Sequence, residues 1–157
     1  MIFVIVGSQK FPFERLIREM DRLKEKGIIK EEIVAQIGVS RYEPKHINWK
    51  RFMDKEEFDH NIEVCDLLVT HAGEGSIMTG LIKNRKVIAV PRFEKYGEHV
   101  NDHQLQIARA LEKQKCIINV ENIENMEYIF LHLDEYELKP YVSGKDNIIK
   151  TICEFVG

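Results

Sequence analysis

Cysteine is scarce in this sequence of 157 residues. The three cysteines, Cys65, Cys116 and Cys153, are far apart and lie in apolar segments. Disulfide frameworks and zinc knuckles are built from closely spaced cysteines, so this spacing argues against both. It favours reduced, buried thiols in a cytoplasmic protein.

Long apolar runs and an excess of positive charge are also lacking. No apolar run approaches the roughly 20 residues of a membrane-spanning helix, and the apolar start at residues 1–7 is too short for a signal peptide and has no basic flank. A net charge of −3 argues against general nucleic-acid binding, which depends on a basic face. With no internal repeat and no domain boundary, the sequence predicts a single domain over residues 1–157.

Short apolar runs alternate with segments of helical periodicity along the whole chain. The candidate strands are residues 2–6, 32–37, 51–53, 64–70, 86–90 and 115–120. The candidate helices are residues 12–27, 54–64, 75–82, 102–111, 122–133 and 145–157. Pro12 suits a first helical turn, Gly27 a helix end, and Asp54 with Glu57 three residues later forms a capping-box pattern. This alternation predicts an α/β fold with a doubly wound, mainly parallel sheet.

The stretch from Val69 to Ile82, V-T-H-A-G-E-G-S-I-M-T-G-L-I, joins a buried strand to a helix through two glycines and a hydroxyl. A helix N-terminus has about four backbone N–H groups without intrahelical partners and a partial positive charge, which together favour a bound phosphate. We expect Ser76 to cap this helix or to donate to a phosphate oxygen. An ordinary tight turn explains the same residues equally well.

Three loops are expected to meet at one edge of the sheet. In a doubly wound sheet of order 3-2-1-4-5-6, strands 1 and 4 are neighbours, and ligands bind beyond the carboxyl ends of the strands at this switch point. The loops are Gly7-Ser8-Gln9 after strand 1, 71–76 after strand 4, and Pro91-Arg92 after strand 5. If the sheet has this order, their convergence favours phosphate or nucleotide binding.

The loop after strand 5 is rich in charged and polar residues. Arg92 and Lys95 are candidates to neutralise a diphosphate, or are solvated surface charges. Asp102 suits a helix N-cap, and Gln104 is placed to hydrogen-bond a sugar hydroxyl or a base edge, unless it is a surface residue.

The histidines carry only weak signals. His99 and His103 have the i, i+4 spacing that metals can use, but no acidic or cysteine partner lies nearby, so we predict no metal site. His71 is a weak candidate for a catalytic base, and a structural histidine in the turn is the stronger interpretation. No other residue stands out as a base.

The segments H-A-G-E-G-S-I at 71–77 and P-R-F-E-K-Y-G-E-H-V-N-D-H-Q at 91–104 resemble the C-terminal domain of glycosyltransferase family 28. Further matching segments are V-I-V-G-S-Q-K-F-P-F-E-R-L, A-Q-I-G and C-D-L-L-V-T-H-A-G, so the resemblance covers nearly the whole chain. It is strongest to small, single-domain members. These include the cytosolic subunit of a two-part N-acetylglucosaminyltransferase and bacterial capsule and exopolysaccharide proteins.

The resemblance implies the Rossmann-like, donor-binding half of a GT-B fold. The donor is then a nucleotide-sugar, usually a UDP-sugar, and a membrane-associated glycosyltransferase subunit binds the lipid-linked acceptor. By motif, Gly73, Glu74, Gly75 and Ser76 meet the diphosphate, Asp102, His103 and Gln104 face the sugar, and Gly7, Ser8 and Gln9 line the cleft floor. No metal and no other cofactor is implied. The chain is expected to be cytoplasmic, recruited to the inner face of the membrane by its partner.

Two positions depart from the pattern, and two other functions stay open. Glu74 stands where small relatives have a neutral residue, and Thr79 where larger relatives have a glutamate that holds the ribose. Phe11, Phe13 and the helix from residue 145 are candidate contacts with the partner, although that helix can also pack on its own sheet. The alternatives are a non-catalytic enhancer of a partner enzyme and, with a poorer motif match, a Rossmann-type nucleotide hydrolase.

Overall fold

The computed structural model describes residues 1–6, 12–93, 96 and 103–140. The strands in this part of the chain are β1 (Ile2–Ile5), β2 (Ile33–Gln36), β3 (Asn48–Lys50), β4 (Leu67–Thr70), β5 (Lys86–Ala89) and β6 (Ile118–Asn119). The helices are α1 (Glu14–Glu25), α2 (Lys55–Val64), α3 (Glu74–Ile82), α4 (His103–Lys113) and α5 (Met126–Leu131), with 3₁₀ turns at Ile123–Asn125 and Leu133–Glu135.

The six strands form one parallel sheet in the order β3-β2-β1-β4-β5-β6. At its centre, Val4 of β1 lies between Ala35 of β2 and Val69 of β4. This order confirms the doubly wound α/β fold and the switch point between β1 and β4.

Helices cover both faces of the sheet, and each face has its own core. On one face, alternate strand residues such as Val4 and Val69 pack with α1 and α5. On the other face, Phe3, Leu68 and their neighbours pack with α2, α3 and α4. Central strands buried on both faces explain the uninterrupted apolar runs in the sequence, because neither set of alternate side chains meets water.

Glycine and capping signals in the sequence predicted the end of α1 and the start of α2. Gly27 ends α1 with a φ of +76°, and the carboxylate of Asp54 accepts a hydrogen bond of 2.8 Å from the backbone N–H of Glu57 at the start of α2. The prediction for Pro12 is wrong, because α1 begins at Glu14 with Phe13 as its N-cap. Phe13 is fully buried in the core, which fixes the chain before the helix begins.

The third strand was predicted at residues 51–53 and lies at Asn48–Lys50, so that prediction is wrong. β3 is an edge strand and pairs with β2 alone. Of its three residues, only Trp49 is partly buried. Phe52, whose apolar character suggested a strand, is 55% exposed. The third strand therefore lies where the backbone pairs with β2, in a polar segment, and not in the more apolar segment that follows.

The last elements are shorter than expected. β6 has two residues, and the helix predicted over 122–133 is divided into a 3₁₀ turn, α5 and a second 3₁₀ turn. Asn122 caps the first of these turns by accepting a 3.1 Å hydrogen bond from the N–H of Glu124. None of the helices in the described residues is long and apolar enough to cross a bilayer. The predicted helix over 145–157 lies outside the described residues.

Two of the three cysteines are confirmed as buried, free thiols. Cys65 and Cys116 both pack in the core between the sheet and α2, α3 and α4. Burial raises the pKa of both thiols, so they stay protonated and unreactive at neutral pH. Cys153 lies outside the described residues.

Candidate functional site

The carboxyl edge of the sheet has the geometry of a ligand site at the switch point. From β1 the chain crosses to β2 on one side, and from β4 it crosses to β5 on the other side. In folds of this topology, the diverging connections leave a crevice in which ligands bind. The connection after β4 leads directly into α3, and the connection after β5 leads into α4.

The turn between β4 and α3 points the start of a helix at this edge. Ala72 has a φ of +65°, a conformation that costs a non-glycine residue about 1–2 kcal/mol, and Gly73 is the N-cap. The first intrahelical bond is the 3.0 Å bond from the N–H of Ile77 to the carbonyl of Gly73. The N–H groups of the first three helical residues, 74–76, therefore have no acceptor within the helix.

The predicted cap at Ser76 is wrong. Ser76 is the third residue of α3, and the helix begins one residue after Gly73, which has no side chain to accept a capping hydrogen bond. The helix itself begins within one residue of the predicted range 75–82. The contact that we predict between Ser76 and a phosphate is a separate matter and stays a prediction.

The two glycines of the turn have different environments. A Cβ on Gly73 would lie 2.3 Å from Nε2 of His71 and 2.8 Å from its Cε1, so the imidazole ring is packed directly against the Gly73 backbone. A Cβ on Gly75 would meet nothing within 4 Å. In the described part of the chain, the start of α3 is therefore not covered by protein at Gly75.

His71 fits the structural interpretation. Its side chain is only 7% exposed, and Nδ1 lies 3.2 Å from the hydroxyl oxygen of Thr70. Its backbone N–H donates to the carbonyl of Ile5 at 3.1 Å, which joins the ends of β4 and β1. A role in acid–base chemistry stays a prediction.

The two departures from the family pattern also have defined places. Glu74 is the first residue of α3 and is exposed, in the position where a carboxylate stabilises a helix by interacting with its N-terminal dipole. The hydroxyl of Thr79 donates a 2.7 Å hydrogen bond to the carbonyl of Gly75 within the same helix. Thr79 is therefore held against α3 itself.

Arg92 is buried, so its interpretation as a solvated surface charge is wrong. The side chain is 0% exposed, and Nη1 donates to the carbonyl of Val6 at 3.4 Å. Because β4 lies between β1 and β5, the side chain must cross the end of β4 to reach Val6. Arg92 thus connects the ends of two strands that are not neighbours, and its contact with a diphosphate stays a prediction.

Several predicted site residues cannot be placed in the same detail. Gly7, Ser8, Gln9, Lys95, His99 and Asp102 lie outside the described residues. His103 and Gln104 are the first two residues of α4, at the same edge as the start of α3, but nothing is described of their side chains.

Two buried or half-buried side chains were missed by sequence reasoning. Arg15 of α1 contacts the segment after β5, and Asp21 of α1 contacts the loop between β2 and β3. Both contacts join residues far apart in the sequence, and no motif marks either residue. A charge on the otherwise apolar face of α1 was the only signal available for Asp21.

A parallel, doubly wound sheet with an open helix N-terminus at its switch point defines the Rossmann-like class of nucleotide-binding folds. The family described as glycosyltransferase family 28 C-terminal domain matches residues 1–151, and the chain belongs to this family. The resemblance inferred from the motifs at 71–77 and 91–104 is therefore confirmed.

Similar proteins agree with this family and fold. The human protein named UDP-N-acetylglucosamine transferase subunit ALG13 is 28% identical over 120 residues, which cover 72% of this chain and 10% of that protein. The solution structure of ALG13 superposes with a TM-score of 0.67 at 17% identity, covering 98% of this chain and 94% of that one.

Larger glycosyltransferases contain the same fold as one part. The kitacinnamycin glycotransferase superposes with a TM-score of 0.61 at 13% identity, covering 98% of this chain and 37% of that chain. MurG of Acinetobacter baumannii gives a TM-score of 0.55 at 15% identity, covering 84% of this chain and 40% of that chain. The chain thus spans about a tenth of the curated relative and well under half of these enzymes. The fold is the Rossmann-like half of a GT-B glycosyltransferase.

Proposed function

We propose that this chain is the donor-binding subunit of a heteromeric glycosyltransferase. It would bind a nucleotide-sugar, in the first instance a UDP-sugar, for transfer to a lipid-linked saccharide in capsule or exopolysaccharide assembly. The observation that carries the proposal is the start of α3, which is exposed at Gly75 and lies at the switch point of a family 28 domain.

The N-terminus of α3 is suited to hold the donor diphosphate. Three N–H groups without intrahelical acceptors, at residues 74–76, would donate to phosphate oxygens, and Gly75 lets the ligand approach the backbone. In the reaction, the acceptor hydroxyl attacks the anomeric carbon, and the bond from that carbon to the diphosphate oxygen breaks. The nucleoside diphosphate leaves with the electron pair, and fixed N–H dipoles stabilise the charge that develops on it.

The acceptor half of the site would come from a second, membrane-associated subunit. The chain covers only 37–40% of two larger glycosyltransferases with this fold, and a curated relative is named as a subunit. Such a partner would recruit the chain to the inner face of the membrane from the cytoplasm. Phe13 is not a contact with it, because its side chain is 0% exposed. Phe11 and residues 145–157 remain candidates.

The first test is a thermal-shift panel of UDP-, GDP- and TDP-sugars with the isolated chain. A ligand at a hundredfold excess over its Kd stabilises the folded state by about 2.7 kcal/mol, so a UDP-sugar is expected to raise Tm clearly. Gln104→Ala is expected to weaken this shift. A nucleotide-sugar that raises Tm but supports no turnover when a partner is added would favour the enhancer function. An unchanged Tm with every nucleotide would favour it as well. Release of free base from a nucleoside monophosphate would point to the hydrolase.

Replacing Glu74 with glutamine is expected to tighten donor binding severalfold at low ionic strength. Its carboxylate lies in the first turn of α3, where it would repel the diphosphate, and a pair of exposed charges interacts by about 1 kcal/mol. The same change removes a favourable interaction with the helix dipole, so stability is expected to fall by about 0.3–1 kcal/mol. Titration calorimetry with UDP and urea unfolding measure the two effects.

Glu31→Gln is the matched control for this prediction. Glu31 precedes β2 and is exposed at the opposite, amino-terminal edge of the sheet, so its replacement makes the same change in net charge far from α3. The gain in affinity for Glu74→Gln should shrink as salt is added, because the Debye length falls to about 8 Å at 0.15 M. An equal gain in both variants would show that only the net charge matters.

A further inference from the structure

Arg15, a residue of α1, contacts the segment that follows β5. Its Nη2 donates a 3.1 Å hydrogen bond to the carbonyl of Pro91. Its guanidinium carbon lies 5.0 Å from the ring centroid of Tyr96 and 5.7 Å from that of Phe93. A third ring, that of Phe13, is 5.2 Å away. One side chain of α1 thus contacts three points of a loop and the residue that caps its own helix.

The aromatic residues also contact one another. The rings of Phe93 and Tyr96 pack edge to face with centroids 6.0 Å apart, and the N–H of Tyr96 donates to the carbonyl of Phe93 at 3.1 Å. Tyr96 itself is 55% exposed, so core packing does not hold it in place. Its ring contacts with Arg15 and Phe93 lie at this edge of the sheet.

Arg15 and Arg92 therefore fix the same turn from two directions. The side chain of Arg92, the residue after Pro91, is hydrogen-bonded to the end of β1. The side chain of Arg15 is hydrogen-bonded from the start of α1 to the carbonyl of Pro91. The connection that begins here leads to α4, whose first residues are His103 and Gln104. A shift at Pro91 would move the first residues of this connection, which we expect to face the donor sugar.

We propose that Arg15 is a positioning residue for donor binding, acting through Pro91, Phe93 and Tyr96. The proposal rests on the proposed function of the same crevice. Arginine is suited to this role because a planar guanidinium stacks on aromatic rings while its edge donates hydrogen bonds, whereas lysine carries a point charge. A guanidinium within about 6 Å of a ring centroid is attracted to the face of the ring.

The test compares Arg15→Gln with Arg18→Gln, using titration calorimetry with UDP on the full chain. Arg18 lies on the same helix and stacks on Tyr42 at 4.3 Å, so the control removes an equal charge and an equivalent aromatic contact elsewhere. Arg15→Gln is expected to weaken UDP binding about tenfold, and Arg18→Gln to leave it unchanged. Equal affinity of Arg15→Gln and the parent chain would overturn the proposal.

Variants of Tyr96 distinguish the positioning role of Arg15 from a purely structural one. Tyr96→Phe keeps the ring and is expected to bind UDP like the parent chain, whereas Tyr96→Ala is expected to weaken binding severalfold at an unchanged Tm. In Arg15→Gln, the further change Tyr96→Ala should then add little, because the contact is already lost. Full additivity would overturn the proposal. If the parent chain binds no nucleotide, the proposed function fails instead.

Discussion

Gly73→Ala is expected to destabilise the chain by about 1–3 kcal/mol, the range found for overpacked sites. The new Cβ would lie 2.3 Å from Nε2 of His71, a distance that real Cβ atoms do not show. The ring cannot move away easily, because the His71 side chain is buried and its Nδ1 lies 3.2 Å from the hydroxyl oxygen of Thr70. Urea unfolding, with an unchanged slope, measures the loss.

A second substitution tests the cause of this loss. In His71→Ala the ring is gone, so adding Gly73→Ala to that variant should cost far less than it does in the parent chain. Strictly additive losses would mean that the close approach of ring and backbone is not what requires glycine at position 73. A helix-propensity effect would give that result, because it does not depend on His71.

Gly75→Ala is the matched variant for ligand binding. An added Cβ at Gly75 meets nothing within 4 Å, and alanine is favoured over glycine in a helix by up to about 1 kcal/mol. Stability is therefore expected to stay equal or to rise. In the proposed complex the methyl group would lie where the donor approaches the helix, so UDP affinity should fall at least about tenfold, following the close-approach argument for glycine. Unchanged affinity would place the diphosphate elsewhere.

The alternation of strands and helices was predictable because its physical causes are local. Each central strand is buried on both faces and reads as an apolar run, and each crossover helix shows its own periodicity. The strand order depends on pairing between distant segments, so the turn at 71–76 could be assigned to the ligand edge only by assuming the order 3-2-1-4-5-6, and the structure has that order. The N-cap at Asp54 was equally predictable, because its carboxylate accepts a hydrogen bond from the N–H only three residues further along the chain.

The errors arise where a distant partner decides the structure. β3 was misplaced because the pairing with β2 selected Asn48–Lys50 over the apolar Phe52. The cap of α3 was assigned to Ser76, which is the third residue of a helix that begins at Glu74. Arg15 and Arg92 act through contacts with residues 76 and 86 positions away, which no local pattern can indicate.

Asp21→Ala is expected to destabilise the chain by about 3 kcal/mol. The carboxylate is 2% exposed and accepts hydrogen bonds from the hydroxyl of Tyr42 and from the N–H groups of Lys45 and His46, the latter at 2.8 Å. The hydrogen bond to Asp21 raises the pKa of Tyr42, so the phenol keeps its proton at neutral pH. Alanine leaves three donors without this acceptor, and each unsatisfied buried group costs about 1–3 kcal/mol unless water reaches it.

Glu25→Ala is the control, since Glu25 lies one turn further along α1 and its exposed carboxylate is 3.6 Å from Nε2 of His46. Even a charged pair at an exposed site contributes only about 0–1 kcal/mol, so this loss should be small. The loop that Asp21 holds leads directly into β3, which pairs on one side only. Asp21→Ala should therefore speed amide exchange in β3 before it affects β1 or β4. Similar losses in both variants, or exchange that rises equally across the sheet, would show that the loop is not fastened through Asp21.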